Sequence, residues 1–142
     1  MRMADAKTKQ TLQAYKKLGA RIETKGRTVL KRRDDFSLWY TPGVGAVASH
    51  LAKHPKDART LSIKKNSVAV ISDGSAVLGL GNIGPYGALP VMEGKAVLFK
   101  RFADVDSIDL EVDTEDPNHF INAVRYLGPS FGGINLEDIK AP

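Results

Sequence analysis

The spacing of apolar positions divides the chain into segments of helical and strand character. Over residues 5–22, Leu12, Tyr15, Leu18 and Ile22 fall near one face of a 3.6-residue repeat with Lys9, Lys16 and Lys17 elsewhere, predicting an amphipathic helix. Gly26 breaks that pattern, and residues 28–30 read as a short extended piece. The pair Pro42-Gly43 introduces a second helix within residues 44–53. Ser67–Ser72 (SVAVIS) is a short, β-rich apolar run of the kind that forms a buried strand. A glycine-rich stretch follows it, then a short helix with Pro85 at its start over residues 85–93 and a strand over 96–99. In residues 107–113, Ile108, Leu110 and Val112 alternate with Asp109, Glu111 and Asp113, predicting a strand with one buried and one wet face. Pro117–Leu127 reads as helix and residues 131–136 as a last strand. Strands alternating with helices imply an α/β layered fold with a largely parallel sheet.

Composition agrees with one soluble globular unit: 142 residues, 42% apolar and 26% charged. There is no cysteine, which excludes disulfides, a thiolate nucleophile and thiolate-bound zinc. The first residues lack the apolar run of a signal peptide and no stretch is long enough to span a bilayer, so a cytoplasmic location without membrane attachment is expected. Residues 1–35 hold 11 Lys/Arg against 4 Asp/Glu, while the remainder holds 10 against 12. The basic third is not interleaved with aromatic residues and matches no helix-turn-helix or RNA-binding signature. Nucleic acid is therefore not expected as a partner, and an acidic substrate or a partner subunit accounts for the charge equally well.

Several patterns bear on chemistry. Gly79-Leu80-Gly81-Asn82-Ile83-Gly84 is a literal G-x-G-x-x-G after a strand, as in dinucleotide-binding folds. Against that reading, Asp73-Gly74 already closes the strand, and the segment predicted as the next strand ends at Lys100-Arg101 instead of an acidic residue. A loop lining another anionic or carboxylate site remains open. Gly94-Lys95 is not a Walker A ending, because Leu89 stands where its first glycine is needed and Ala96 replaces the Ser/Thr. His50 and His54 are four apart, but Leu51 spoils the H-E-x-x-H pattern, so they read as a solvated helix face. The acidic run 104–116 lacks the glycine of an EF-hand loop. Glu137-Asp138 offers two hard oxygen ligands suited to Mg²⁺ or Mn²⁺, provided the chain leaves its strand there, since strand neighbours point to opposite faces.

Taken together, four segments resemble malic enzymes of the shorter bacterial and archaeal type: Trp39-Tyr40-Thr41-Pro42-Gly43-Val44, residues 72–84, Pro90-Val91-Met92-Glu93-Gly94-Lys95, and residues 131–139. Their order and spacing match, and the resemblance is weakest over the first 30 residues. It implies a three-layer α/β/α domain with a small, largely parallel sheet, lying on the substrate and metal side of an enzyme that converts malate to pyruvate and CO₂ with NAD⁺ or NADP⁺. By resemblance Lys95 is the general base at the C2 hydroxyl, Tyr40 the general acid at C3, and Glu137 and Asp138 two of three carboxylates for Mg²⁺ or Mn²⁺. The nicotinamide cofactor would be held by a later Rossmann domain beyond residue 142, with no cofactor-binding residue here, so this chain alone is expected to be inactive. The glycine loop would then serve the substrate side, and the complete enzyme is expected to be a homodimer. The long-chain branch grips a substrate carboxylate with an arginine where this sequence has Ala76, so that grip must differ. The alternatives are a stand-alone nucleotide-binding module using Gly79–Gly84 and a non-catalytic interaction domain derived by truncation.

Overall fold

The computed structural model describes residues 2–141, with side chains from residue 6 onward. Its centre is a three-stranded, all-parallel sheet in the order β2-β1-β3, formed by β1 (Ser67–Ser72), β2 (Asp106–Glu111) and β3 (Gly133–Leu136). β1 lies in the middle and is buried on both faces, which explains its unbroken apolar run. Its alternate residues feed two cores. Val70 packs with Val77, Ala88 and Met92, whereas Ala69 and Ile71 pack with Phe120, Leu110, Val124 and Leu127. Ala88 and Met92 belong to helix α5 (Gly84–Ala103), and Phe120 and Val124 to helix α6 (Pro117–Leu127). One helix covers each face, giving the expected three layers.

α5 corrects the reading of residues 85–99. The expected short helix and following strand are one 20-residue helix, and residues 96–99 are helical. Residues 96–99, Ala-Val-Leu-Phe, have strand composition. Yet Ala88, Met92 and Ala96 recur every four residues as a fully buried stripe, and that contact with the sheet overrides local preference. β2 also departs from expectation. Leu110 and Val112 join the α6 core, so Asp109 and Glu111 turn to the other face, which α5 covers instead of water.

α6 begins as read, with Pro117 in its first turn and Asp116 accepting from the backbone N–H groups of Asn118 (2.7 Å) and His119 (3.2 Å). Past its other end Lys64 Nζ donates to the carbonyls of Gly128, Pro129 and Phe131, holding the 3-10 turn that leads from α6 towards β3.

The N-terminal segment packs loosely on this body. α1 (Arg2–Leu18) stops four residues earlier than expected, because Gly19 takes a left-handed φ of 74° and donates to the Tyr15 carbonyl. Its apolar stripe at Leu12, Tyr15 and Leu18 is exposed. Residues 28–30 join no sheet among the described residues. An unanticipated helix, α2 (Arg33–Trp39), is capped by Asp35 Oδ2, which accepts from the backbone N–H groups of Lys31 and Arg32. α3 (Gly43–Lys53) follows a cis Thr41-Pro42 bond and packs on α2. A four-residue helix, α4 (Ala58–Leu61), and short 3-10 turns lead into β1. Among the described residues no helix is long and apolar enough to cross a membrane.

Candidate active site

In an open parallel sheet, ligands gather beyond the carboxyl ends of the strands where the strand order reverses. Here β1 is followed by β2 on one side and then β3 on the other, so that point lies at the carboxyl ends of β1 and β3. Ser72-Asp73-Gly74-Ser75 leaves β1 there, and Glu137-Asp138 leaves β3.

The two exits are stitched together. Glu137 N–H donates to the Ile71 carbonyl at 3.0 Å, extending the β1–β3 pairing by one residue. Asp138 then adopts a φ of 53°, its carbonyl accepts from Ala76 N–H at 3.0 Å, and Lys140 N–H donates to Ser75 Oγ at 2.8 Å. The chain thus leaves strand geometry at Asp138. Asp73 Oδ1 accepts from Ser75 N–H at 2.9 Å and holds the opposite turn.

The structure brings Lys95 and Glu137 together. Lys95 Nζ stands 3.1 Å from Glu137 Oε1, and Asn135 Nδ2 donates to Glu137 Oε2 at 2.9 Å. Burial pushes the Glu137 carboxyl upward, but the Asn135 amide and the Lys95 ammonium outweigh it and hold the group below the usual glutamate range. Asn135 was not singled out from the sequence. The signal was available, because residues i and i+2 of a strand share a face.

Tyr40 is not brought to this cluster. It ends α2, is 65% exposed, and its carbonyl accepts from Val44 N–H. Among the described residues no hydrogen bond or ion pair ties its hydroxyl to Lys95, Glu137 or Asp138.

The glycine loop does not form a strand-to-helix turn at the end of β1. Val77 and Gly81 exchange backbone hydrogen bonds at 2.9 and 2.8 Å, so the first two glycines shape a small hairpin whose tip, Leu78, is 93% exposed. Gly79, Gly81 and Gly84 have positive φ, and only Gly84 opens α5. With residues 96–99 helical, the acidic end of the next strand is Glu111, whose Oε1 is buried on the α5 side without a hydrogen-bond partner. His50 and His54 are neighbours on α3 and its cap, 4.7 Å between ring centroids, with His50 Nε2 2.7 Å from Asp57 Oδ2 on the surface. Among the described residues no three His, Asp or Glu side chains are grouped to hold a metal ion.

A parallel α/β domain with a lysine–carboxylate pair at its switch point has the layout on which small-molecule sites are commonly built. The family profile of the malic enzyme N-terminal domain matches residues 19–142. The chain is 56% identical over 125 residues to an NAD-dependent malic enzyme of Geobacillus stearothermophilus, covering 88% of this chain and 26% of that one. It is 49% identical over 141 residues to an NADP-dependent malic enzyme of Halomonas elongata, covering 99% and 33%. It superposes on the crystal structure of an NAD-dependent malic enzyme from Thermotoga maritima with a TM-score of 0.89 and 52% identity, covering 92% of this chain and 37% of that one. The chain belongs to the malic enzyme family and corresponds to its N-terminal domain. It spans about a quarter to a third of the length of these curated relatives.

Proposed function

We propose that this chain supplies the substrate and metal side of an enzyme that oxidatively decarboxylates malate to pyruvate and CO₂ with NAD⁺ or NADP⁺. The observation that carries the reading is the Lys95–Glu137 pair at the carboxyl edge of the sheet, with Asp138 next in the chain. Glu137 and Asp138 present carboxylate oxygens, the donors that Mg²⁺ and Mn²⁺ prefer, and would supply two ligands, the rest coming from outside the described residues. When bound, such a cation polarises the hydroxyl and carboxylate of malate and favours the enolate that follows loss of CO₂.

Lys95 Nζ, acting in its free-amine form, exchanges its contact with Glu137 for the C2 hydroxyl and takes that proton as hydride leaves C2 for the oxidised nicotinamide. Tyr40 donates its phenolic proton to C3 of enolpyruvate, which requires Tyr40 to be carried to the substrate by closure or by a second subunit. The exposed apolar side chains of the N-terminal segment, Leu12, Phe36 and Trp39 among them, suit a homodimer contact. Hydride acceptance, and with it the choice of NAD or NADP, belongs to a separate nicotinamide domain, and the working compartment is read as the cytoplasm.

The test is product stoichiometry of the full-length protein with malate, NAD⁺ or NADP⁺ and Mn²⁺ or Mg²⁺. Pyruvate and reduced cofactor should appear one for one, and chelation of the cation should abolish both. Accumulation of oxaloacetate without pyruvate would reassign the protein to simple malate oxidation.

A further inference from the structure

The turn of α5 that carries Lys95 is also held from outside, by a residue of the N-terminal segment. Arg21 lies just past α1, and its backbone N–H and its Nε both donate to Glu93 Oε2, at 3.2 and 3.4 Å. Its guanidinium also donates to the Pro90 carbonyl and lies over the Tyr15 ring, 5.0 Å from the centroid. The Arg21 and Glu93 side chains are only 22% and 21% exposed. Two donors converging on one carboxylate oxygen, with a third bond to the backbone, exceed what a lone surface ion pair offers.

Gly94 fits the same arrangement. Glycine inside a helix is normally unfavourable. Here a Cβ at Gly94 would stand 3.3 Å from Arg21 Nη1, so the bare Cα leaves room for the guanidinium to cross the helix surface.

Residues of an α-helix are spaced about 100° apart, so Glu93 and Lys95 project on roughly opposite sides of α5. One is tied to Arg21 and the other to Glu137 beyond β3. Tethers on opposite sides of a single turn fix the rotation of the helix about its own axis, and the bond to the Pro90 carbonyl fixes it lengthwise.

We propose that Arg21 is a positioning residue: by clamping the Glu93 turn of α5 it sets where Lys95 Nζ stands against the substrate. This inference rests on the malic enzyme reading and on Lys95 as its base. Arg21 acts through Lys95, so its loss lowers turnover and leaves malate affinity nearly unchanged.

The experiment is steady-state kinetics of the full-length protein, normalised to the folded fraction by circular dichroism. It compares wild type, Arg21→Gln and the reversed pair Arg21→Glu with Glu93→Arg. Arg21→Gln should lower kcat roughly 10- to 100-fold, the scale of a misplacement of about 1 Å, with KM for malate moving less than about threefold. The reversed pair should restore kcat to within about threefold of wild type. A folded Arg21→Gln protein with wild-type kcat overturns the clamp, as does a folded reversed pair that stays slow. If Arg21→Gln does not fold, the reversed pair alone decides. A wild-type protein without malate turnover would instead sink the malic enzyme reading, and the clamp's role with it.

Discussion

Single residues decide whether the site's floor can form. Gly74 has a φ of 70°, and a Cβ there would run into the Gly84 carbonyl and the Ala88 side chain where the loop returns to open α5. Both the dihedral and the space demand glycine, so Gly74→Ala should destabilise the protein by about 2 kcal/mol or more. Thermal or urea unfolding checks this, and a variant as stable as wild type would mean that the two loop ends are not in contact. Lys95, Tyr40, Glu137 and Asp138 were reached from the sequence through resemblance, not through local pattern. Lysine beside glycine and a carboxylate pair are common on any surface. What sequence could not convey is that Lys95 reaches Glu137 across 42 residues, because the contact depends on the register of β3 and the rotation of α5. Arg21 was hidden for the same reason: its partner lies 72 residues away.

At the scale of elements, those with strong end signals were legible and those set by tertiary contact were not. Ser67–Ser72, an apolar β-rich run, and Pro117–Leu127, read as helix, were found at their observed bounds. α5 was split in two because Ala96-Val97-Leu98-Phe99 has strand composition, while the contact with the sheet that keeps it helical is tertiary. α2 was missed because seven largely exposed residues are too few turns to set up a periodic signal.

The misjudged face of β2 has a measurable consequence. Burial first, and the neighbouring Asp109 carboxylate second, push the Glu111 carboxyl up to about 7, with the Glu93 charge adding to it. A carboxyl raised in the folded state contributes stability that is fully present below its ordinary value of about 4.5 and is lost as pH rises through about 7. Glu137 is shifted the opposite way, so its contribution is kept above 4.5 and lost only in more acidic solution. Glu111→Gln should therefore raise the melting temperature relative to wild type at pH 8 and make little difference at pH 4. Melting curves at the two pH values read this directly, and an equal effect at both would show that Glu111 keeps an ordinary carboxyl in the fold.

At the scale of the molecule, the three layers put a lysine and two carboxylates at a switch point, while Tyr40 stands exposed at the end of α2. The sequence disclosed the layers through alternation of strands and helices. It could not disclose how the N-terminal helices meet the sheet, since their apolar side chains, Leu12, Phe36 and Trp39 among them, are exposed. Of the most conspicuous motif, residues 79–84, the first two glycines shape a small hairpin closed by Val77 and Gly81 and the third opens α5, each at a positive φ.

The role proposed for Lys95, taking the C2 hydroxyl proton, is tested by pre-steady-state reduction of the nicotinamide cofactor by the full-length protein, wild type against Lys95→Ala, with malate and Mn²⁺ saturating. Hydride transfer should fall at least about 100-fold in Lys95→Ala, the scale of a positioned general base. Hydride transfer at the wild-type rate in that variant would contradict it.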